Sequence, residues 1–263
     1  MKNFKNISLA LISLIALNSC SNDDNSMEEI TGNGNAQINF DARVGTADFV
    51  LNRPFVVNRQ TLEFDKLRYW VSDIKLINDK NETVAVDNSY FLIEETAAIT
   101  VQEGDFTYPA KKRELVDLKA LPSGKYTKLV FAVGVDAVRN DNMSLQAGEL
   151  SQLNGMTNVS WMWHTSYIFS ALSGKNTTPT TPVAISVETG LNTNYRLVEI
   201  NLPTALVIDA KKTAKINLNV SVENILKDID LVANPKIAAS KAALMTKVAD
   251  NYKNGVFTVK TVE

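Results

Sequence analysis

The chain has 263 residues, with 27 basic and 29 acidic side chains, one His, one Cys, 45% hydrophobic and 21% charged residues. This is ordinary globular composition, long enough for one large domain or two small ones. A formal charge of −2 excludes a strongly basic nucleic-acid binder. The single Cys excludes an internal disulfide framework, a several-thiolate zinc site and a CxxC redox pair. The single His excludes any site that draws two imidazoles from one chain.

Residues 1–19 read as a lipoprotein signal peptide. Lys2 and Lys5 form a positive start, and Ile7 to Leu17 form an apolar run of about a dozen residues, too short to span a bilayer comfortably. Leu17-Asn18-Ser19-Cys20 fits a bacterial lipobox, so Cys20 is expected to become the acylated first residue and to anchor the protein to a membrane. Ser21-Asn22-Asp23-Asp24 resembles the acidic export signal of surface lipoproteins in Bacteroidota. The expected location is the outer membrane, facing the periplasm or the cell exterior. Residues 20–35, rich in Asn, Asp, Ser and Gly, read as a flexible tether, and 36–263 as the folded domain.

Short alternating or β-branched runs then follow: Ala36 to Phe40, Leu67 to Ile77, Thr83 to Val86, Tyr90 to Ile93, Tyr126 to Val135, Tyr195 to Leu202 and Ala214 to Val222. In Leu67 to Ile77 the alternation sets Leu67, Tyr69, Val71 and Asp73 on one face and Trp70 on the other. Turns are expected at Asn78 to Asn81, Pro122-Ser123-Gly124, Gly174-Lys175-Asn176 and Pro203-Thr204, and Thr177 to Pro182 reads as a surface loop. Ser144 to Leu153 is expected to form a short helix. A second helix is expected to start at the Asn234-Pro235 cap pair, to carry Ile237, Leu244, Met245, Val248 and Tyr252 at helical spacing, and to stop at Gly255. Val256 to Val262 then alternates like a final strand. The pattern points to an all-β antiparallel sandwich or barrel, with an immunoglobulin-like or Greek-key sandwich as the expected fold, plus a C-terminal helix.

Trp161-Met162-Trp163-His164 holds two of the three Trp and the only His, with Tyr167 and Phe169 close behind. Two readings fit. One is a soft-metal or ligand site, because imidazole suits copper and thioether suits Cu(I). The other is aromatic core packing around a hydrogen-bonded His. An exposed Trp161/Trp163 platform for a glycan or another surface ligand is the non-metal alternative.

Several segments in order resemble one family. Phe40-Asp41-Ala42-Arg43-Val44-Gly45 is similar to its F-D-x-x-V-G opening, and Leu67 to Leu76 to its L-[RK]-[YF]-Y-[IV]-S-[DN]-[IV]-x-L strand. Phe131 to Asp136 resembles its F-x-[IV]-G-[IV]-D segment, with Asn140 as the Asn that follows. Gly155-Met156 through Trp161, Trp163, Tyr167 and Phe169 resembles its M-x-W-x-W-x-x-G-Y-x-F signature. Lys247 to Asn251 and Val256 to Val259 resemble its closing runs. These are marks of the MbnP-like family. The resemblance implies a secreted or lipid-anchored, non-enzymatic β-sandwich in copper handling, with His ligands and an oxidised Trp, and a dihaem peroxidase-like partner for that oxidation. By motif, the family's Trp pair matches Trp161 and Trp163; a remaining copper site beside them would draw on His164, which stands where the family more often has Asn or Gln, with Met162, Met156 or a carboxylate, and Tyr167 and Glu188 are expected ligand-binding positions.

The chain departs from the family where imidazoles are expected. Ala42 or Arg43 stands at the opening, Glu188-Thr189-Gly190 at a His-x-Gly segment, Lys260 to Glu263 at the C-terminus, and Ser166 replaces the Gly of the G-Y pair.

Other motifs carry less. No phosphate-binding glycine loop is present, and no G-x-S-x-G surrounds a Ser near His164. Glu94-Glu95 and Glu28-Glu29 read as solvated charge, because neighbours on a strand point to opposite faces. Lys111-Lys112-Arg113 reads as a solvated strand start, and Asp136 to Asn142 as a polar turn without EF-hand spacing.

Overall fold

The computed structural model describes residues 32–101, 106–158 and 166–263. The signal-peptide reading and Cys20 lie outside the described residues. Among the described residues the strands are, in order, β1 Asn33–Val44, β2 Ala47–Asp48, β3 Pro54–Val57, β4 Gln60–Asn78, β5 Thr83–Ala85, β6 Tyr90–Thr96, β7 Ile99–Val101, β8 Phe106–Tyr108 and β9 Lys111–Arg113. They continue with β10 Leu115–Pro122, β11 Gly124–Val133, β12 Thr157–Asn158, β13 Ser166–Asn176, β14 Val183–Gly190, β15 Arg196–Ile208, β16 Ala214–Ser221, β17 Lys236–Ile237 and β18 Phe257–Val262. The α-helices are α1 Ala137–Asn140, α2 Val222–Ile225 and α3 Ala242–Lys253.

Two sheets make a sandwich. The smaller runs β10-β1-β16-β18, and the larger runs β15-β11-β4-β13-β14-β17 with shorter strands attached. Most pairs are antiparallel, but β1 pairs with β16 in parallel from Ala36↔Ala214 to Arg43↔Ser221. The sheets meet through aromatic rings at edge-to-face angles. Phe40 of β1 lies 5.5 Å from Phe131 of β11, and Phe131 lies 5.0 Å from Phe257 of β18. Tyr69 of β4 and Tyr252 of α3 close the cluster at 5.8 Å. Each such ring removes a large apolar area from water, and the geometry suits the ring quadrupoles.

β4 organises the larger sheet. Val71 pairs with Val133 of β11 and with Phe91 of β6, while Tyr69 pairs with Ser170 of β13 and with Ile93 of β6. β11 and β13 therefore share one edge of β4 end to end, opposite β6. Leu67 to Ser72 are buried on both faces, unlike the one-sided burial usual in antiparallel sheets. The alternation expected for Leu67, Tyr69 and Val71 against Trp70 holds. It fails at Asp73, whose φ of 51° breaks the strand period.

Five local expectations are corrected. Ser144 to Leu153 forms no α-helix; only a 3-10 turn over Gln152–Asn154 appears. Gly148 has φ +53°, a Cβ there would strike the Asn88 and Tyr90 carbonyls, and Glu149 N–H bonds to Tyr90 O instead of to its own turn. The terminal helix starts at Ala242. Asn234 Oδ1 accepts from Lys241 Nζ, Pro235 O accepts from Ser186 N–H, and Lys236–Ile237 pairs with β14, so sheet pairing takes the residues expected in the first turn. Gly174-Lys175-Asn176 lies inside β13, where a Cβ on Gly174 would collide with the Glu63 carbonyl of β4. Pro203-Thr204 lies inside β15 at a register shift opposite Tyr126 to Lys128, a bulge that tolerates the missing N–H. The first strand begins at Asn33, inside the expected tether.

Phe40, fully buried between the sheets, is expected to cost about 3–5 kcal/mol on replacement by Ala. Val56→Ala, at a 70% exposed position, should stay within about 0.5 kcal/mol, and urea titration of the two variants beside the unmodified protein measures both.

Candidate functional site

Strand alternation sends Leu67, Tyr69 and Val71 towards the smaller sheet and Arg68, Trp70 and Ser72 to the outer face of β4. That outer face is covered too. Arg68 Nε donates to Glu94 Oε2 at 2.8 Å, Nη2 lies 2.7 Å from the same oxygen, and Nη1 donates to the Asn154 carbonyl at 2.7 Å. The guanidinium lies 4.7 Å from the Tyr108 ring centroid. The other oxygen of Glu94 accepts from Tyr108 Oη at 2.6 Å and lies 3.1 Å from Lys111 Nζ.

Glu94 is thus no solvated charge: it and Arg68 are fully enclosed, and only Glu95 on the opposite face reaches the rim, at 3.0 Å from Lys112. The opposite-face rule holds for the two glutamates, but the outer face is itself covered. The basic run at Lys111 to Arg113 is the partner strand of this acidic pair, with Arg113 bound to Glu149.

Strand registers set these residues in a row across the sheet. Arg113 faces Glu94, Glu94 faces Arg68, Arg68 faces Ala171, and Ala171 faces Glu188. Glu188 therefore sits on the same outer face, two strands from Arg68. Burial raises its carboxyl above the ordinary 4.5, and Lys66 opposes the shift. Tyr167 shares this side, its ring 6.0 Å from Trp70 and edge-on to it. Burial raises the Tyr167 phenol as well.

The segment carrying the Trp, Met and His candidates is rooted beside these residues. Thr157 and Asn158 of β12 pair with Tyr167 and Ser166 of β13, so the two ends of residues 159–165 lie side by side. Met156, just before, is buried; its N–H donates to Asn154 Oδ1 and its carbonyl accepts from Ile168 N–H. Asn140 Oδ1 accepts from Tyr167 N–H at 2.9 Å and Asn140 Nδ2 donates to Asn192 Oδ1 at 2.8 Å. The oxygen-rich stretch after Asp136 is thus structural: Asp136 caps α1, accepts from Tyr90 Oη, and its neighbours brace the root of the segment. Trp161, Met162, Trp163 and His164 themselves lie outside the described residues.

Two of the other positions at which the resemblance leads one to expect imidazoles converge elsewhere. Arg43 of β1 and Lys260 of β18 both contact Asp41, with Arg43 Nε at 2.9 Å and Lys260 Nζ at 3.2 Å. Two cations on one carboxylate offer no lone pair to a metal. Among the described residues no group of three or more His, Cys, Asp and Glu is placed to hold a metal ion, and no helix is long and apolar enough to cross a membrane.

Above the Arg68–Glu94 pair opens a cleft of about 450 Å³, lined among others by Phe106, Tyr108, Lys111, Leu153 and Asn154. The sequence reading missed it. Its one signal was an Arg and a Glu each set within apolar strand runs, LRYWV and FLIEE, where a charge must find a partner.

Residues 33–243 match the sequence model of a family described as MbnP. Among solved structures the chain is similar to MbnP from Methylosinus trichosporium, with 17% identity, a TM-score of 0.45, and coverage of 76% of this chain and 86% of that one. No curated protein matches the chain.

Because Glu188 binds its proton more tightly folded than unfolded, it lowers stability as pH rises from the ordinary 4.5 through the raised value. Glu188→Gln is therefore expected to raise Tm at neutral pH and to lose that gain below the ordinary carboxyl range. A Tm difference that does not change with pH refutes this.

Proposed function

Because the chain belongs to the MbnP family, we propose that it is a non-enzymatic, copper-binding lipoprotein of the cell envelope with a reduced metal site. The observation that supports this reading is the two-residue ladder between β12 and β13, which roots the segment containing His164 and Met162 beside buried Met156. The segment offers an imidazole and a thioether, a donor set suited to Cu(I). The other positions do not fit a soft metal: Arg43 and Lys260 are cations held by Asp41, and burial disfavours the charged form of Glu188.

When bound, copper supplies redox and soft Lewis-acid chemistry. The chain's own part is positional: Asn140 fixes the backbone of Tyr167, and the Tyr167 ring packs on Trp70 below the root of the segment. Trp161 and Trp163 flank the donors in sequence, and either is a candidate for oxidation by a dihaem peroxidase-like partner.

A chelator-competition titration with Cu(I) on residues 21–263 tests the metal. Stoichiometric binding is expected, weakened at least tenfold in His164→Ala, with a copper-dependent rise in Tm because the metal binds the folded state. Absence of binding in the unmodified protein overturns the reading.

The envelope location rests on Cys20. Cys20→Ser is expected to abolish incorporation of labelled palmitate and to move the protein from the membrane to the soluble fraction. Membrane retention without label would exclude acylation as the anchor.

A further inference from the structure

Among the described residues, the cleft on the outer face of β4 has a charge that its own residues leave uncancelled. Glu94 is shared by two cations, Arg68 and Lys111, while Arg113 and Glu149 cancel each other at the rim. Tyr108 stays neutral, because burial and its bond to Glu94 both raise its phenol. Among the described residues one positive charge is therefore left over beside the opening.

Arg68 is fully enclosed. Its Nε donates to Glu94 and its Nη1 to the Asn154 carbonyl, Nη2 lies 2.7 Å from Glu94 Oε2, and Tyr108 covers its face. Lys111 is not. Its side chain is 44% exposed, and its ammonium, with three donors, contacts Glu94 at 3.1 Å and Tyr108 Oη at a long 3.5 Å. The lining beyond this ammonium is mixed, with Glu149, Ser151 and Asn154 beside apolar Leu92 and Pro109, and two large apolar side chains of the cleft stay open to water, Phe106 at 38% and Leu153 at 45%.

We propose that this cleft binds a small organic carboxylate with an apolar body. Lys111 takes the carboxylate, and the apolar part lies against Phe106 and Leu153. About 450 Å³ falls within the range of small-molecule sites, which combine mostly apolar walls with a few polar anchors. A metal cation would meet net positive charge, and a neutral sugar would leave the excess charge unanswered. The proposal uses none of the proposed copper donors.

Calorimetric titration of the mature protein in metal-free buffer tests the proposal independently of copper. The probes are 4-phenylbutyrate and its neutral amide. One-to-one binding of the acid is expected, at least tenfold tighter than that of the amide. Lys111→Gln leaves Arg68 to hold Glu94, and should bind acid and amide equally. Leu153→Ser, at the exposed wall, should weaken both probes and keep their ratio, which covers the case in which Lys111→Gln fails to fold. Equal binding of acid and amide by the unmodified protein overturns the proposal. So does undiminished acid binding by folded Lys111→Gln, or no binding of phenyl, cyclohexyl and alkyl carboxylates at millimolar concentration.

Discussion

The enclosed ion pair between Arg68 and Glu94 is the interaction on which the outer half of the molecule depends. Withdrawing two charges from water costs several kcal/mol per ion, more than a bare pair recovers. Here the deficit is met by partners from three separate segments: Tyr108 from β8, Lys111 from β9 and the Asn154 carbonyl from the 3-10 turn. Those segments have little core of their own. They are held over β4 because the pair requires them, and the pair is tolerable because they are there. The turn that supplies Asn154 continues directly into Met156 and β12, so the same interaction places the root of the Trp segment.

The inner face of β4 works by different physics. Tyr69, Phe40, Phe131 and Phe257 interlock as apolar rings, an arrangement that tolerates volume-conserving change. The outer face depends on particular donors and acceptors, and replacing one member there leaves another group buried without its partner. Stability is thus concentrated on one side of this strand and chemical individuality on the other.

The sandwich was legible because its strands alternate and its turn residues are where turn chemistry needs them, as at Asn78 to Asn81, where Asn78 Oδ1 accepts from Lys80 and Glu82 N–H. The final strand and the apolar stripe of α3 were legible for the same reason. Glycine and proline misled wherever the chain used them inside strands. Gly174 serves a close approach of two backbones, and Pro203 serves a bulge; neither purpose has a local signature. The helix expected over Ser144 to Leu153 gave way to a backbone bond with a distant strand, a tertiary choice that no window of sequence contains. At the candidate site, Tyr167 and Glu188 were singled out through family motifs, and the registers place both on one face. Glu94 was misjudged because alternation says which way a side chain points and not whether something covers it.

The proline in β15 has a consequence for the molecule among its own copies. β15 ends the larger sheet, and among the described residues it pairs with one strand only, β11. A thirteen-residue strand with an open edge is a template on which another chain can add. Pro203 carries no N–H, and the register shift around it interrupts the regular strand midway along its length. Such an interruption shortens the regular stretch on which a second chain can add, and so favours separate molecules over a growing sheet.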